Sequence, residues 1–396
     1  MKEKAQTVTF VAVLVFLCCY FMQLLNMSNV IVVGIGVVLC LIMLLQQKVF
    51  RIDIGICLLA ITMISYYVIV NGIQGAFFVV LYIPLILYEM GNYAVCAIKK
   101  SDDYNRALRM LIGAFVVGFA VHGILNAYMY YAGYVIPGTR QWADFWHKGI
   151  VPGTQHTAYF LPVFAMAFPA VAYFMKHRGI SCLILAMTAF FGYTSLATKS
   201  RMAVLIFALA VCLQVVIYIF AEKGKVKKLV ADKRFWIAIV VFMFMAVGAV
   251  FVVKDSAVVV AFIENMSKGG GILNNVRFEA QRLAVKQLFV YPMGGRLMNL
   301  GRTYCHNTWL DMANAAGLIP FFAFALYTVY TAWNVIRLIL NRRVNAEMKM
   351  TMAGLYFVFF LYMSVEPALD ASIHLVAPWI FVNGIIYGCV SGEKKS

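Results

Sequence analysis

Residues 202–220 read MAVLIFALAVCLQVVIYIF, a run in which Gln214 is the one strongly polar side chain and no side chain is charged. A helix of nineteen residues rises about 28 Å, close to the thickness of a bilayer's hydrocarbon core. A membrane barrel strand would alternate apolar and polar residues, and this run does not. Thr198, Lys199, Ser200 and Arg201 precede it and Glu222 and Lys223 follow, so polar residues mark both ends. Runs of the same kind recur along the whole chain of 396 residues, 64% of them hydrophobic and 12% charged. A soluble domain is about 45–50% apolar and about 25% charged, so this chain holds more apolar side chain than one aqueous core can hide. The composition excludes a soluble enzyme and predicts an all-α polytopic membrane protein.

Windows of about nineteen residues place twelve spans at 8–26, 29–45, 54–70, 77–98, 110–131, 156–174, 180–197, 202–220, 235–253, 312–336, 350–364 and 374–390. No domain boundary, low-complexity tract or internal repeat interrupts them, so 1–396 reads as a single transmembrane helical bundle. Two connections are long: a smaller loop at 132–155 and a large, partly helical loop at 254–309. Connections of that length usually carry function or disorder. The formal net charge of +17 comes from 33 Lys and Arg against 16 Asp and Glu. Cationic loops orient helical membrane proteins, which explains the excess without a nucleic-acid partner. With the N-terminus inside, two thirds of the cations fall in inner segments, and the outer connections apart from the large loop hold only Arg140, Lys148, Lys199 and Arg201. Both termini are therefore expected in the cytoplasm, with both long loops outside.

The large loop carries the unusual residues. After Lys268 and three glycines, the stretch 277–289 allows Phe278, Val285, Leu288 and Phe289 to share a helical face with Arg282 and Lys286 off it, a helix lying along the outer membrane surface. Pro292, Gly294 and Gly295 then turn the chain, and Arg302 to Asn307 lead into the tenth span. Arg201 breaks the charge rule in a very short outer connection. Its plain reading is a snorkelling cation; its functional reading is a guanidinium fork for a lipid-linked phosphate. His306 beside Asn307 reads either as a surface residue or as a base able to take a proton from a hydroxyl. Glu89 is the one acid deep in a span, where it must be protonated, paired or lining a cavity. Eight of the nine cysteines sit in or at the ends of apolar runs, Cys305 being the exception, and no Cys or His spacing suggests a metal.

Thr198-Lys199-Ser200-Arg201 opening an apolar helix resembles the O-antigen polymerase and ligase family. So do Asn275-Val276-Arg277-Phe278, Tyr291-Pro292-Met293-Gly294-Gly295, His306-Asn307-Thr308-Trp309-Leu310 and Ala316-Gly317-Leu318-Ile319 after it. The resemblance runs from about residue 190 to 340. The family loop often carries a tryptophan soon after the arginine equivalent to Arg277; here Phe278 and the residues after it supply none. The resemblance implies a bundle in a bacterial cytoplasmic membrane whose outer loop covers a cavity for undecaprenyl-diphosphate-linked oligosaccharides. It implies a glycosyltransferase that needs no metal or other cofactor, with His306, Arg201 and Arg277 as catalytic residues. Lys199, Ser200, Arg282, Arg302 and Asn307 are the substrate-binding candidates. The lipid bilayer, a chain-length regulator and a flippase are the implied partners. A polymerase of surface-polysaccharide repeats is the first reading, a ligase moving the glycan to another acceptor the second. A lipid-glycan flippase or transporter is the alternative from a different class.

The charge bias predicts that single cysteines at positions 140 and 302 react with an impermeant maleimide on intact cells, and one at 227 only after permeabilisation. A cytoplasmic position 302 would remove the outer-site reading.

Overall fold

The computed structural model describes residues 2–26, 29–47, 52–71, 80–99, 103–147, 149–222, 276–371 and 373–391. Its helices are α1 (Lys2–Phe21), α2 (Asn29–Gln47), α3 (Ile54–Asn71), α4 (Tyr82–Ile98) and α5 (Tyr104–Tyr131). A two-stranded antiparallel hairpin, β1 (Gln141–Ala143) and β2 (Ile150–Pro152), is followed by α6 (Gly153–Ala158), α7 (Leu161–Ala172), α8 (Arg178–Ala197) and α9 (Arg201–Ala221). The last part holds α10 (Val276–Gln287), α11 (Thr308–Ala316), α12 (Leu318–Leu340), α13 (Ala346–Val365), the short α14 (Ala368–Ala371) and α15 (Ile373–Val390).

Seven of these helices, α2, α5, α8, α9, α12, α13 and α15, are long and apolar enough to cross a membrane, and α1, α3 and α4 contain shorter apolar stretches. The protein is thus a helical membrane protein. The span expected at 235–253, and the part of the large loop before Val276, lie outside the described residues. Two expected spans are broken. Residues 156–174 divide between α6 and α7, where backbone bonds from Tyr159 to His156 and from Phe160 to Thr157 form a tight turn. Residues 312–336 divide at Gly317, whose φ of 83° leaves the helical region between α11 and α12. A side chain on Gly317 would meet the backbone of Pro292 and Met293, so only glycine lets the large loop pack there. The smaller loop, expected at 132–155, also carries a hairpin on which the sequence reading made no statement.

Among the described residues the most extensive helix–helix packing is between α4 and α15. Gly384 and Gly388 on α15 and Gly91 on α4 remove the side chains that would hold the two backbones apart. A Cβ on Gly384 would fall on the Tyr88 carbonyl, and one on Gly91 would lie 2.7 Å from the Phe381 carbonyl. Around this pair α12 packs on α3, α1 on α5 and α9 on α13. A buried polar knot joins three helices: Asp53, before α3, accepts from the Tyr88 hydroxyl (3.0 Å), the Tyr330 hydroxyl (3.5 Å) and the Ile56 N–H (3.1 Å).

Contacts sort the connections into two ends. At one, Glu347 at the start of α13 meets Arg109, Lys176 and His177 at 3.4–3.6 Å, and Lys99 reaches the end of α15. At the other, the ends of α1, α5, α8 and α13 meet the hairpin, α10 and the start of α15: Tyr20 bonds His374, Tyr130 bonds Ala197, and Arg277 bonds Glu366. The second is the site end.

Gly384→Ala is expected to lower stability by about 1–3 kcal/mol, the usual range for overpacking, seen as a fall in unfolding temperature in detergent. Gly113→Ala, where a Cβ meets nothing within 4 Å, should leave it unchanged.

Candidate functional site

Arg201 owes its position to the end of α8. The Lys199 N–H bonds Leu196 O and the Ser200 N–H bonds Ser195 O, with Lys199 at φ 55°. This is the paired-bond ending that usually takes glycine at the left-handed position. A lysine there is strained, and the sharp turn that results makes Arg201 the first residue of α9. The site end thus gains both a guanidinium and the positive end of a 21-residue helix. The Ser200 hydroxyl meets Thr157 Oγ1 at 3.3 Å.

Arg140 arrives on the hairpin and donates to the Lys199 carbonyl (3.3 Å). Its place is set by its neighbours. The fully buried Trp142 stacks on His156 (4.2 Å between ring centroids, 16°) and donates to the Asn126 carbonyl (3.0 Å). Beyond it the buried Asp144 accepts from His122 Nε2 and Asn126 Nδ2 on one oxygen, and from His147 and two backbone N–H groups on the other, all at 3.0 Å. Burial alone would raise the Asp144 carboxyl, but the hydrogen bonds from His122 and His147 outweigh it and hold the group below the usual carboxylate range. Both ring nitrogens of His122 are engaged, Nε2 with Asp144 and Nδ1 with the Met22 carbonyl.

Glu366 ends α13 in extended conformation, as expected of a residue before Pro367. It is buried, and both carboxylate oxygens are engaged: Arg277 Nη1 donates to Oε1 (3.0 Å) and His306 Nδ1 to Oε2 (3.3 Å). Arg277 also donates to the Val365 carbonyl (3.1 Å). One turn further along α10, Gln281 bonds the His306 carbonyl (3.2 Å), so one helix face positions both partners of Glu366.

His306 itself has φ 57°, a left-handed value that a non-glycine residue keeps only when its surroundings impose it. The surroundings are clear. Asn307 caps α11 by accepting the Leu310 N–H (3.1 Å), and Asp311 accepts the Cys305 and Asn307 N–H groups at 2.7 and 3.0 Å. Asn307 Nδ2 reaches the Ser364 carbonyl (3.1 Å), and Thr308 Oγ1 donates to the Glu366 carbonyl (2.9 Å). With Nδ1–H committed to Glu366, a neutral His306 keeps its lone pair on Nε2.

Three guanidiniums from three distant segments therefore converge. Partial burial, then the charges of Arg201 and Arg277, push the Arg140 guanidinium below its ordinary value, while Glu366 acts in the opposite sense. It stays a cation at any physiological pH. Arg277 is ion-paired with Glu366, and Arg140 stands within electrostatic reach of Arg201, Arg277 and Glu366, a grouping chemically able to take an anion. Beside them lies a small cleft lined by Thr154, Thr157, Ser200 and Glu366 and by the apolar Leu161, Met202 and Ile206.

Of the residues the sequence singled out, Arg201, Arg277, His306, Ser200 and the Lys199 backbone meet here. The Asn307 amide is engaged at both ends in holding the chain. Arg282 pairs instead with Glu279 (3.5 Å) on the exposed face of α10, and Arg302 is exposed on its loop. Glu89 accepts from Asn92 (3.2 Å) within α4. Among the described residues no three His, Cys, Asp or Glu gather as metal ligands would. Arg140 and Glu366 were missed. An acid at the end of an apolar span in a chain with only 16 acids was a usable signal for Glu366, and Arg140 could have been found as one of the four cations in outer connections other than the large loop. Comparison of the chain with models of protein families and with curated proteins finds no match in either case.

Asp144→Asn removes the carboxylate from a buried network and should cost about 3–5 kcal/mol locally, seen as faster proteolysis within 132–152. Because the folded carboxyl is held low, the stability it contributes is present above the ordinary carboxylate range and is lost only as pH falls below it. The difference between wild type and variant should therefore be constant from neutral pH to about pH 5. A gap that closes above that pH would contradict the network.

Proposed function

We propose that the protein transfers a glycan from an undecaprenyl-diphosphate-linked oligosaccharide to the next lipid-linked repeat, polymerising a surface polysaccharide. The reaction takes place on the outer face of a bacterial cytoplasmic membrane, with twelve spans and both termini inside. The observation that carries this reading is the convergence of Arg140, Arg201 and Arg277 beside a carboxylate-bound imidazole.

The acceptor hydroxyl attacks C1 of the donor sugar, and His306 Nε2 takes its proton. The C1–O bond to the lipid diphosphate breaks, and its electron pair leaves on the diphosphate oxygen. Negative charge grows there, where preorganised arginines stabilise it more than water would. Glu366 holds the imidazole through Nδ1 and balances the imidazolium that forms, as a buried carboxylate does for a catalytic histidine elsewhere. A single displacement inverts the anomeric centre. The C1–phosphate bond needs no redox step, so the residues named supply the whole reaction.

The test is purified protein in detergent given lipid-diphosphate oligosaccharide alone. A ladder of products on a gel is expected. A single addition that requires a different acceptor would make the protein a ligase, and no transfer would overturn the reading. Arg201→Ala and Arg140→Ala should each lower turnover at least about 10²-fold, as loss of one transition-state donor does, while Arg282→Ala should stay within about two-fold. Arg277 also ties α10 to α13, so Arg277→Lys, which keeps a charge without the fork, is the informative change and should rescue poorly. His306→Asn should leave donor affinity intact and cut turnover by about 10² to 10⁴-fold. A variant that binds donor and turns over normally would remove His306 from the mechanism.

A further inference from the structure

Ala280 and Ala284 of α10 and Leu288 just past its end are buried against Met298, Leu300, Cys305 and Ala313, forming a small core of the large loop. Leu288 therefore belongs to the inner face, not to the apolar face expected from the sequence. The outer face holds Phe278, Arg282, Val285 and Phe289 at helical spacing, all exposed, so Arg282 lies within this face rather than off it. Past the end of α10 the exposure of large apolar side chains continues with Val290, Met293 and Leu297. Phe289 and Met293 are about 70% exposed, at 70% and 71%.

This segment is joined to a helix that is itself apolar enough to cross a membrane. The Leu318 N–H bonds the Pro292 carbonyl (2.9 Å), and the N–H groups of Gly295 and Arg296 bond Ala315 and Asn314 (3.0 and 2.7 Å). The turn thus sits on the start of α12. Along α12, Ile319, Phe322, Leu326, Val329, Trp333 and Ile336 are exposed at spacings of three and four, one continuous apolar stripe. The exposed cations Arg282, Lys286, Arg296 and Arg302 border the turn.

We infer that residues 289–297 form a wedge set into the bilayer leaflet at the site end, its apolar side chains continuing the α12 stripe and its bordering cations meeting anionic headgroups. A short apolar surface ringed by cations is what binds at a membrane interface. An equally large apolar patch facing water would be unusual. The wedge anchors α10 at the end opposite Arg277, so it fixes the depth at which the arginine cluster stands relative to the headgroups. It stands whether or not the anion at that cluster is a lipid-linked diphosphate.

The test places a photoreactive benzophenone side chain at Phe289, Met293 or Leu297 in the full chain, reconstituted in nanodiscs of phosphatidylethanolamine and phosphatidylglycerol. Ile319 serves as the lipid-facing reference and Asn299 as an exposed position on the same loop outside the wedge. After irradiation, mass spectrometry should find phospholipid adducts at 289 and 293 in yields like that at 319 and about five-fold above that at 299. Adducts at 319 without adducts at 289 and 293, equal yields at 299, or crosslinks to a second copy of the chain in place of lipid would each overturn the inference.

Discussion

A buried carboxylate at the end of α13 is the constraint on which the site end depends. Glu366 is removed from water, and a charge so placed persists only when its oxygens are met by donors. The chain meets it from two directions, with Arg277 from α10 and His306 from the segment before α11. Its backbone carbonyl takes the Thr308 hydroxyl as well, so residues 306–308 are stitched to the end of α13 by side chain and main chain together. Through Glu366 and the carbonyls of Ser364 and Val365 the large loop is fixed to one of the most buried of the apolar helices described.

Gathering arginines is unfavourable by itself, and each of the three is held by machinery that does not involve the others. Arg201 stands at the first position of α9 because a strained lysine closes the helix before it. Arg277 is held by Glu366 and the Val365 carbonyl. Arg140 is held through a hairpin whose Trp142 is fully buried and whose Asp144 is saturated with hydrogen bonds. Independent anchoring keeps the like charges near one another, and the proposed reaction would use that arrangement as its electrostatic preorganisation. Two of the site residues, Lys199 and His306, keep left-handed backbone conformations within this framework, and strain of that kind persists where packing over-determines it.

The rest of the bundle supplies the stiffness. Glycines let α4 and α15 approach until backbones touch, and the Asp53 knot ties α3, α4 and α12. The apolar exterior of α12 and the 289–297 turn then relate the site to the membrane plane.

The sequence by itself determined the class of the protein. Long apolar runs without alternation admit little but membrane helices, because backbone polar groups in hydrocarbon must be satisfied within the segment. Local pattern also marked Arg201 and His306, since a cation in a very short outer connection and a histidine beside Asn307 at a helix entry are visible along the chain, whereas Arg277 was marked by the family resemblance. Tertiary structure decided the remainder. Arg140 and Arg201 lie 61 positions apart, and His306 and Glu366 60; no short-range periodicity can report such meetings. The breaks at α6 and at Gly317 were hidden because hydropathy averages over a window and is blind to a single positive φ. The face of α10 was misassigned for a related reason. Leu288 and Phe289 are equally apolar, and only the packing of the loop onto Ala313 and Met298 decides which of them turns inward.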